Sequence, residues 1–131
     1  NDFQVVFIGL DNSMNQDIMK LNNNNLLNLM GKTSLDEVLK ILQQASCVVA
    51  NDSGLMHIAA ALGRPVVGIY GSSSPKYTPP LIEESKRMIL YKNLECSPCY
   101  KRACPLLHLD CLNNIPADNV KDSISKLVKQ I

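Results

Sequence analysis

Residues 47–80, CVVANDSGLMHIAAALGRPVVGIYGSSSPKYTPP, restrict the possible folds more than any other part of this sequence. An apolar run over residues 47–50 stops at Asn51-Asp52-Ser53-Gly54. Helix-like spacing then continues to Leu62, and a second apolar run fills residues 66–70 after Gly63-Arg64-Pro65. Short runs that are apolar throughout, without alternation, belong to strands covered on both faces. Two of them joined by a helix form a parallel crossover, the unit of α/β folds.

The flanking sequence continues that pattern. Residues 4–10, QVVFIGL, read as a buried strand, and residues 12–21 as a short helix carrying Met14, Ile18, Met19 and Leu21. Residues 22–25 are all asparagine, which disfavours helix and strand alike and predicts a loop. In TSLDEVLKILQQA, hydroxyls stand where they can cap, Asp36 and Glu37 fall in the first turn, and Leu35, Val38, Leu39 and Leu42 share a face. KRMILY, residues 86–91, is a further strand, and Pro116 opens a last helix striped by Val120, Ile124, Leu127, Val128 and Ile131. The expected architecture is α/β: a Rossmann-like parallel sheet with helices on both faces, in a single domain over residues 1–131. The chain opens on Asn1 directly before a strand, as expected of a piece of a longer protein.

Composition narrows the function. With 46% apolar and 19% charged residues and a net charge of +1, the chain has neither the field nor a basic, aromatic-laced stripe for nucleic acid, so no nucleic-acid partner is expected. Its apolar runs are too short to span a bilayer and nothing at its start resembles a leader, so a cytoplasmic location is expected.

The turn at residues 51–54 lies at the carboxyl end of a strand, where open α/β sheets bind ligands. A helix starting there offers unpaired N–H groups and the positive end of a dipole, which together attract an anion. Gly54 lacks the Cβ that would hold a phosphate oxygen away from that backbone. Ser53 and His57, four apart, share the face above the turn, while Leu55, Ile58, Ala59 and Leu62 are expected to face the sheet. Asp52 is the odd member, because a carboxylate repels phosphate; an N-cap role is expected for it. The same pattern also suits a plain strand–helix turn with an ordinary histidine, and the residues alone leave both readings open.

Four of the five cysteines fall in a Cys-rich loop over residues 96–115, spaced C-x2-C-x4-C-x6-C at Cys96, Cys99, Cys104 and Cys111, with His108 beside them. Four thiolates can hold a structural zinc ion, although this spacing lacks the compact second knuckle of common zinc folds. Free thiols or adventitious bridges are the alternative. Cys47, in an apolar run, is expected in the core.

The segment NDSGLMHIAAALGRPVVGIYGSSSPKYTPP resembles the donor-nucleotide signature of the ADP-heptose:lipopolysaccharide heptosyltransferases, glycosyltransferase family 9. CSPCYKRACPLLHLDCL with IPADNV is similar to a tail of many members, and GKTSLDEVLKILQQA to the helix before the signature. Leu55-Met56 and the loop ending Thr78-Pro79-Pro80 favour the second heptosyltransferase type within that family. The resemblance implies a two-domain GT-B enzyme of which this chain is part of the C-terminal, donor-binding domain. It implies that Asp52, Ser53, Gly54, Leu55 and His57 hold the diphosphate of ADP-heptose, that Thr33 lies near the adenine, and that the loop over residues 71–80 borders the heptose or the acceptor. The implied reaction is inverting heptosyl transfer to the lipopolysaccharide inner core at the cytosolic face of the inner membrane, with no cofactor needed for binding. The resemblance places the general base on an aspartate of the N-terminal domain, so no catalytic residue is expected here and the chain alone is expected to be inactive. The family's first strand and its phosphate-contacting lysine have no counterpart in this sequence, and only Ser13 and Asn15 stand near the ribose position. Two readings from other classes remain: a non-catalytic anion-binding module, and a metal-stabilised Cys-rich interaction domain.

Overall fold

The computed structural model describes residues 3–10, 13–21 and 23–129. The expectations placed on Asn12, Asn22 and Ile131 lie outside these residues. The described chain forms two compact units, Asn1–Ile41 and Leu42–Ile131.

In the first unit, β1 (Val5–Phe7) pairs in parallel with β2 (Leu26–Asn28), Val5 opposite Leu26 and Phe7 opposite Asn28. α1 (Asn15–Lys20) crosses over between them and buries Ile18. Sequence reading had no strand at β2, because three residues behind an asparagine run carry little pattern of their own; pairing with β1 supplies what propensity does not. α2 (Leu35–Gln44) starts at a reciprocal cap. The Ser34 N–H donates to Glu37 Oε2 at 2.8 Å, and the Glu37 N–H donates back to Ser34 Oγ at 3.4 Å. The Ser34 N–H bond, joined by one that the Ser34 hydroxyl donates to the same oxygen at 2.9 Å, holds the exposed Glu37 carboxyl below its ordinary range.

The second unit is a three-stranded parallel sheet ordered β3–β4–β5, from β3 (Val48–Asn51), β4 (Val66–Tyr70) and β5 (Arg87–Tyr91). All pairings are parallel, as expected, but the five strands form two sheets where one was expected: among the described residues β1 and β3 share no ladder. β4 lies in the middle, with Val66, Val67 and Tyr70 each 0% exposed, so both its faces are covered. α3 (Gly54–Ala61) packs on β3 and β4, and α5 (Ala117–Val128), entered through Pro116, packs on β4 and β5. α5 buries Leu127 together with Ser123, whose hydroxyl donates to the Asn119 carbonyl at 2.7 Å. A short α4 (Asp110–Asn113), not foreseen from sequence, seats against β4.

The buried face of α3 is rotated from the expected one. Met56, Ala59 and Ala60 are buried, while Leu55, Ile58 and Leu62 are half-buried. The reason lies in β4. Gly68 leaves a hollow in which a Cβ would stand 3.3 Å from Met56 Sδ and 2.9 Å from the Tyr70 ring. Met56 enters that hollow, and this fixes the rotation of the helix. Cys47 is half-buried beside β3, where burial pushes its thiol up to about 11. Among the described residues no helix is long and apolar enough to cross a membrane.

Candidate functional site: the turn between β3 and α3

β3 ends at Asn51, and within two residues the chain enters α3 at Gly54. Ser53 is the N-cap, in an extended conformation at φ −153° and ψ 164°, and its side chain makes no capping bond. Met56 and His57 donate their N–H groups to the Ser53 carbonyl at 3.1 and 3.4 Å. The N–H groups of Gly54 and Leu55 precede those bonds and have no acceptor within the helix.

Gly54 itself is informative. A Cβ built on it meets nothing within 4 Å, and its φ lies outside the left-handed region. Among the described residues, neither backbone conformation nor packing calls for glycine at this position. The open space leaves clearance for a group to approach the backbone here.

Asp52 is not the helix cap. Its Oδ2 accepts a 2.8 Å hydrogen bond from Thr78 Oγ1, and its Oδ1 stands 3.4 Å from His57 Nε2. The cap expectation fails because Ser53, one residue later, takes that place in the backbone. The imidazole is 39% exposed and the carboxylate 17%, so His57 has one side on Asp52 and the other open to solvent.

Thr78 is in turn held by the loop after β4. Its N–H donates to the Ser74 carbonyl at 3.2 Å, and its own carbonyl accepts a 2.6 Å bond from the buried Tyr70 hydroxyl. Arg87 Nη1 donates to the Pro80 carbonyl at 2.9 Å and ties the end of the loop to β5. Burial, helped by the Asp52 charge, pushes the Tyr70 hydroxyl up to about 12, so it stays a donor at neutral pH. Sequence reading gave the loop a place near the sugar; it did not find Tyr70 and Thr78 as the anchors that fix Asp52. The TPP ending marks a rigid loop, but the sequence carries no signal for a bond 26 residues away.

Asp52, Ser53, Gly54, Leu55 and His57 thus share one turn of the second unit. Thr33, half-buried between β2 and α2, belongs to the first. The cysteines form a separate feature. Cys96, Cys99, Cys104 and Cys111 line one cavity of about 100 Å³, and all are unpaired thiols. Yet among the described residues no group of three or more His, Cys, Asp or Glu side chains is gathered so as to hold a metal ion. His108 Nδ1 is already engaged, accepting the Asp110 N–H at 3.0 Å.

Residues 1–110 match the family model of glycosyltransferase family 9 (heptosyltransferase). A lipooligosaccharide heptosyltransferase 2 of Haemophilus influenzae is 52% identical over 59 residues, covering 45% of this chain and 17% of that protein. A heptosyltransferase 2 of Campylobacter jejuni is 29% identical over 112 residues, 86% of this chain and 35% of that protein. The solved structure of Escherichia coli ADP-heptose LPS heptosyltransferase II superimposes with a TM-score of 0.77 at 32% identity, over 97% of this chain and 37% of that one. The chain thus spans well under half the length of the relatives it matches. With the family model matched over residues 1–110, on a parallel α/β fold shared with a solved heptosyltransferase, the chain belongs to glycosyltransferase family 9, the heptosyltransferases.

Proposed function

We propose that this chain is the donor-binding part of an inverting glycosyltransferase that moves L-glycero-D-manno-heptose from ADP-heptose to the lipopolysaccharide inner core, in the manner of the second heptosyltransferase type. The observation that carries the reading is Gly54, a glycine that neither its own φ nor its neighbours require, at the start of a helix whose first N–H groups lack intrahelical acceptors. Family membership and the names of the relatives supply the chemistry.

In this reading the diphosphate of the donor settles on the N–H groups of Gly54 and Leu55, with the Ser53 hydroxyl and His57 beside it. As an acceptor hydroxyl attacks the anomeric carbon and the bond to the diphosphate breaks, negative charge grows on the departing phosphate. Fixed N–H donors and a helix dipole aimed there stabilise that charge without having to reorganise. Asp52 acts at one remove: held by Thr78, it faces His57 and sets the direction of the imidazole. Thr33 stands for the adenine edge. The proposal calls on no cofactor. The acceptor and the general base belong to the other domain of the family's two-domain enzyme, and a lipid-linked acceptor brings that enzyme to the cytosolic surface of a membrane.

The test is a titration of ADP, with UDP and inorganic phosphate as controls, into this chain and into His57→Ala, followed by amide chemical shifts. Shifts at residues 53–57 that favour ADP and shrink in the variant are expected. Equal responses to all three ligands, or none at these residues, would contradict donor recognition by the turn.

A further inference from the structure

The loop that carries the cysteines plays no part in donor binding as proposed above, and its outer surface is apolar and basic together. Leu106, Leu107 and Leu109 are 57%, 89% and 45% exposed, and Tyr100 is 60% exposed. Single apolar residues at a surface are ordinary, but this many on one short loop form a patch. Over residues 96–109 the chain has two exposed cations, Lys101 and Arg102, and no carboxylate. Lys101, Arg102, Leu106 and Leu109 line the same cavity, so the basic and apolar side chains adjoin. The first acid after them, Asp110, faces His108, its Oδ1 3.6 Å from Nδ1.

The backbone holds these side chains outward. Among the described residues four non-glycine residues have positive φ, and three of them are Tyr100, Leu107 and Leu109, at 55°, 61° and 56°. Left-handed backbone is costly for a residue with a Cβ and persists only where the surrounding structure fixes it. Hydrogen bonds do so here. The Tyr100 N–H donates to the Ser72 carbonyl at 2.8 Å, which pins the loop to the chain leaving β4. The Leu107 N–H donates to the Cys104 carbonyl at 3.2 Å, and the Leu109 carbonyl accepts the N–H groups of Leu112 and Asn113, each at 2.9 Å. The leucines are thus presented to the outside on a fixed loop.

We propose that residues 100–109 form a membrane-docking surface, at which Tyr100, Leu106, Leu107 and Leu109 enter the headgroup boundary of an anionic bilayer while Lys101 and Arg102 face its lipid phosphates. Charge and apolarity together select this occupant. Leucines gain by leaving water, a tyrosine suits the boundary, and long basic side chains lay their stems along apolar surface with their charges among the phosphates. A protein partner fits less well. Stable protein interfaces take about 20–30 residues a side and are depleted in lysine, whereas this patch is one short loop. None of its residues belongs to the donor turn, so membrane docking and donor binding can succeed or fail separately.

The test uses the whole chain with vesicles of phosphatidylcholine, alone or mixed with phosphatidylglycerol. Cosedimentation is expected to show binding to the mixed vesicles about tenfold tighter than to the neutral ones, weakening as salt rises. Lys101→Gln combined with Arg102→Gln is expected to remove most of that preference. Leu107→Ser is expected to weaken binding to the mixed vesicles several-fold, and Leu81→Ser, at a leucine 80% exposed outside the loop, to bind as the parent does. The chain has no tryptophan, so Leu107→Trp supplies a sole indole. Its emission is expected to shift to the blue on mixed vesicles and to be quenched by brominated acyl chains, while that of Leu81→Trp stays unchanged. Both leucines are largely exposed, so these variants are expected to unfold with the parent's midpoint. No binding to either vesicle, equal binding to both, or an indole at position 107 that stays in water would overturn the proposal. So would self-association that depends on Leu107 in place of vesicle binding, which would make the patch a contact between copies of the chain.

Discussion

Thr78 Oγ1 donates to one oxygen of Asp52 at 2.8 Å, and the other oxygen faces His57 Nε2 at 3.4 Å, so side chains from the β3–α3 turn, from α3 and from the loop after β4 act as one unit. A hydroxyl bonded to a carboxylate at a half-open site contributes about 1 kcal/mol. Thr78→Val keeps the shape and removes that bond. It is expected to weaken ADP binding about fivefold by calorimetry, the equivalent of about 1 kcal/mol, with Thr78→Ser close to the parent. A loss in Thr78→Ser with none in Thr78→Val would show that the methyl group, and not the hydrogen bond, matters. Asp52 also shows where residue-level reading stops. Sequence identified a carboxylate at a strand–helix turn, and an N-cap is what local rules assign to it. The actual partners, Thr78 and His57, are set by how the loop after β4 returns over the turn, which is tertiary and leaves no mark near Asp52.

At the level of elements, the seat of α3 on β4 decides where the turn points. Gly68 has room for no Cβ: one would stand 2.9 Å from the Tyr70 ring and 3.3 Å from Met56 Sδ. Tyr70 is fully buried and tied through its hydroxyl to the Thr78 carbonyl at 2.6 Å, so its ring cannot step aside. Gly68→Ala is therefore expected to destabilise by about 1–3 kcal/mol, seen as a lower denaturant midpoint with an unchanged slope. A midpoint equal to that of the parent would mean that the helix shifts freely on the sheet. The strands at β3, β4 and β5 were legible in the sequence because each is built on a short apolar run with polar, charged, glycine or proline residues at its ends. β2 was not, since its three residues gain strand conformation only by pairing with β1. The rotation of α3 was hidden for a related reason. Its residues are apolar nearly all round, so periodicity could not choose a face until the Gly68 hollow selected Met56.

For the molecule as a whole, burial acts on two acids, Tyr70 in the core and the half-buried Cys47 that precedes β3. Burial raises Tyr70 from 10.0 to about 12 and Cys47 from 9.0 to about 11. A folded-state value above the unfolded one means that the contribution is fully present below the unfolded value and is lost as pH climbs through the folded one. Stability is thus expected to hold through neutral pH and to fall between about pH 9 and 12, and Tyr70→Phe is expected to flatten the upper part of that fall. Denaturant unfolding across this range checks it; an equally steep decline in Tyr70→Phe would assign the loss to other groups. The α/β class and the place of the turn could both be read from the sequence, because a parallel crossover puts its ligand end at a known edge. The residues of the turn itself, Asp52 to His57, were legible too, whereas Thr78 and Tyr70, which hold it from β4 and the loop beyond, were not. The most direct measurement is therefore a paired one on Gly54→Ala: thermal unfolding, and ADP affinity by calorimetry. A Cβ there meets nothing within 4 Å, so the variant is expected to unfold no earlier than the parent, gaining up to about 1 kcal/mol. Its ADP binding is expected to fall at least tenfold, by the steric block of a phosphate at the backbone N–H groups, a loss of about 1.4 kcal/mol or more. Unchanged ADP binding in a stably folded Gly54→Ala would contradict the placing of the donor on this turn.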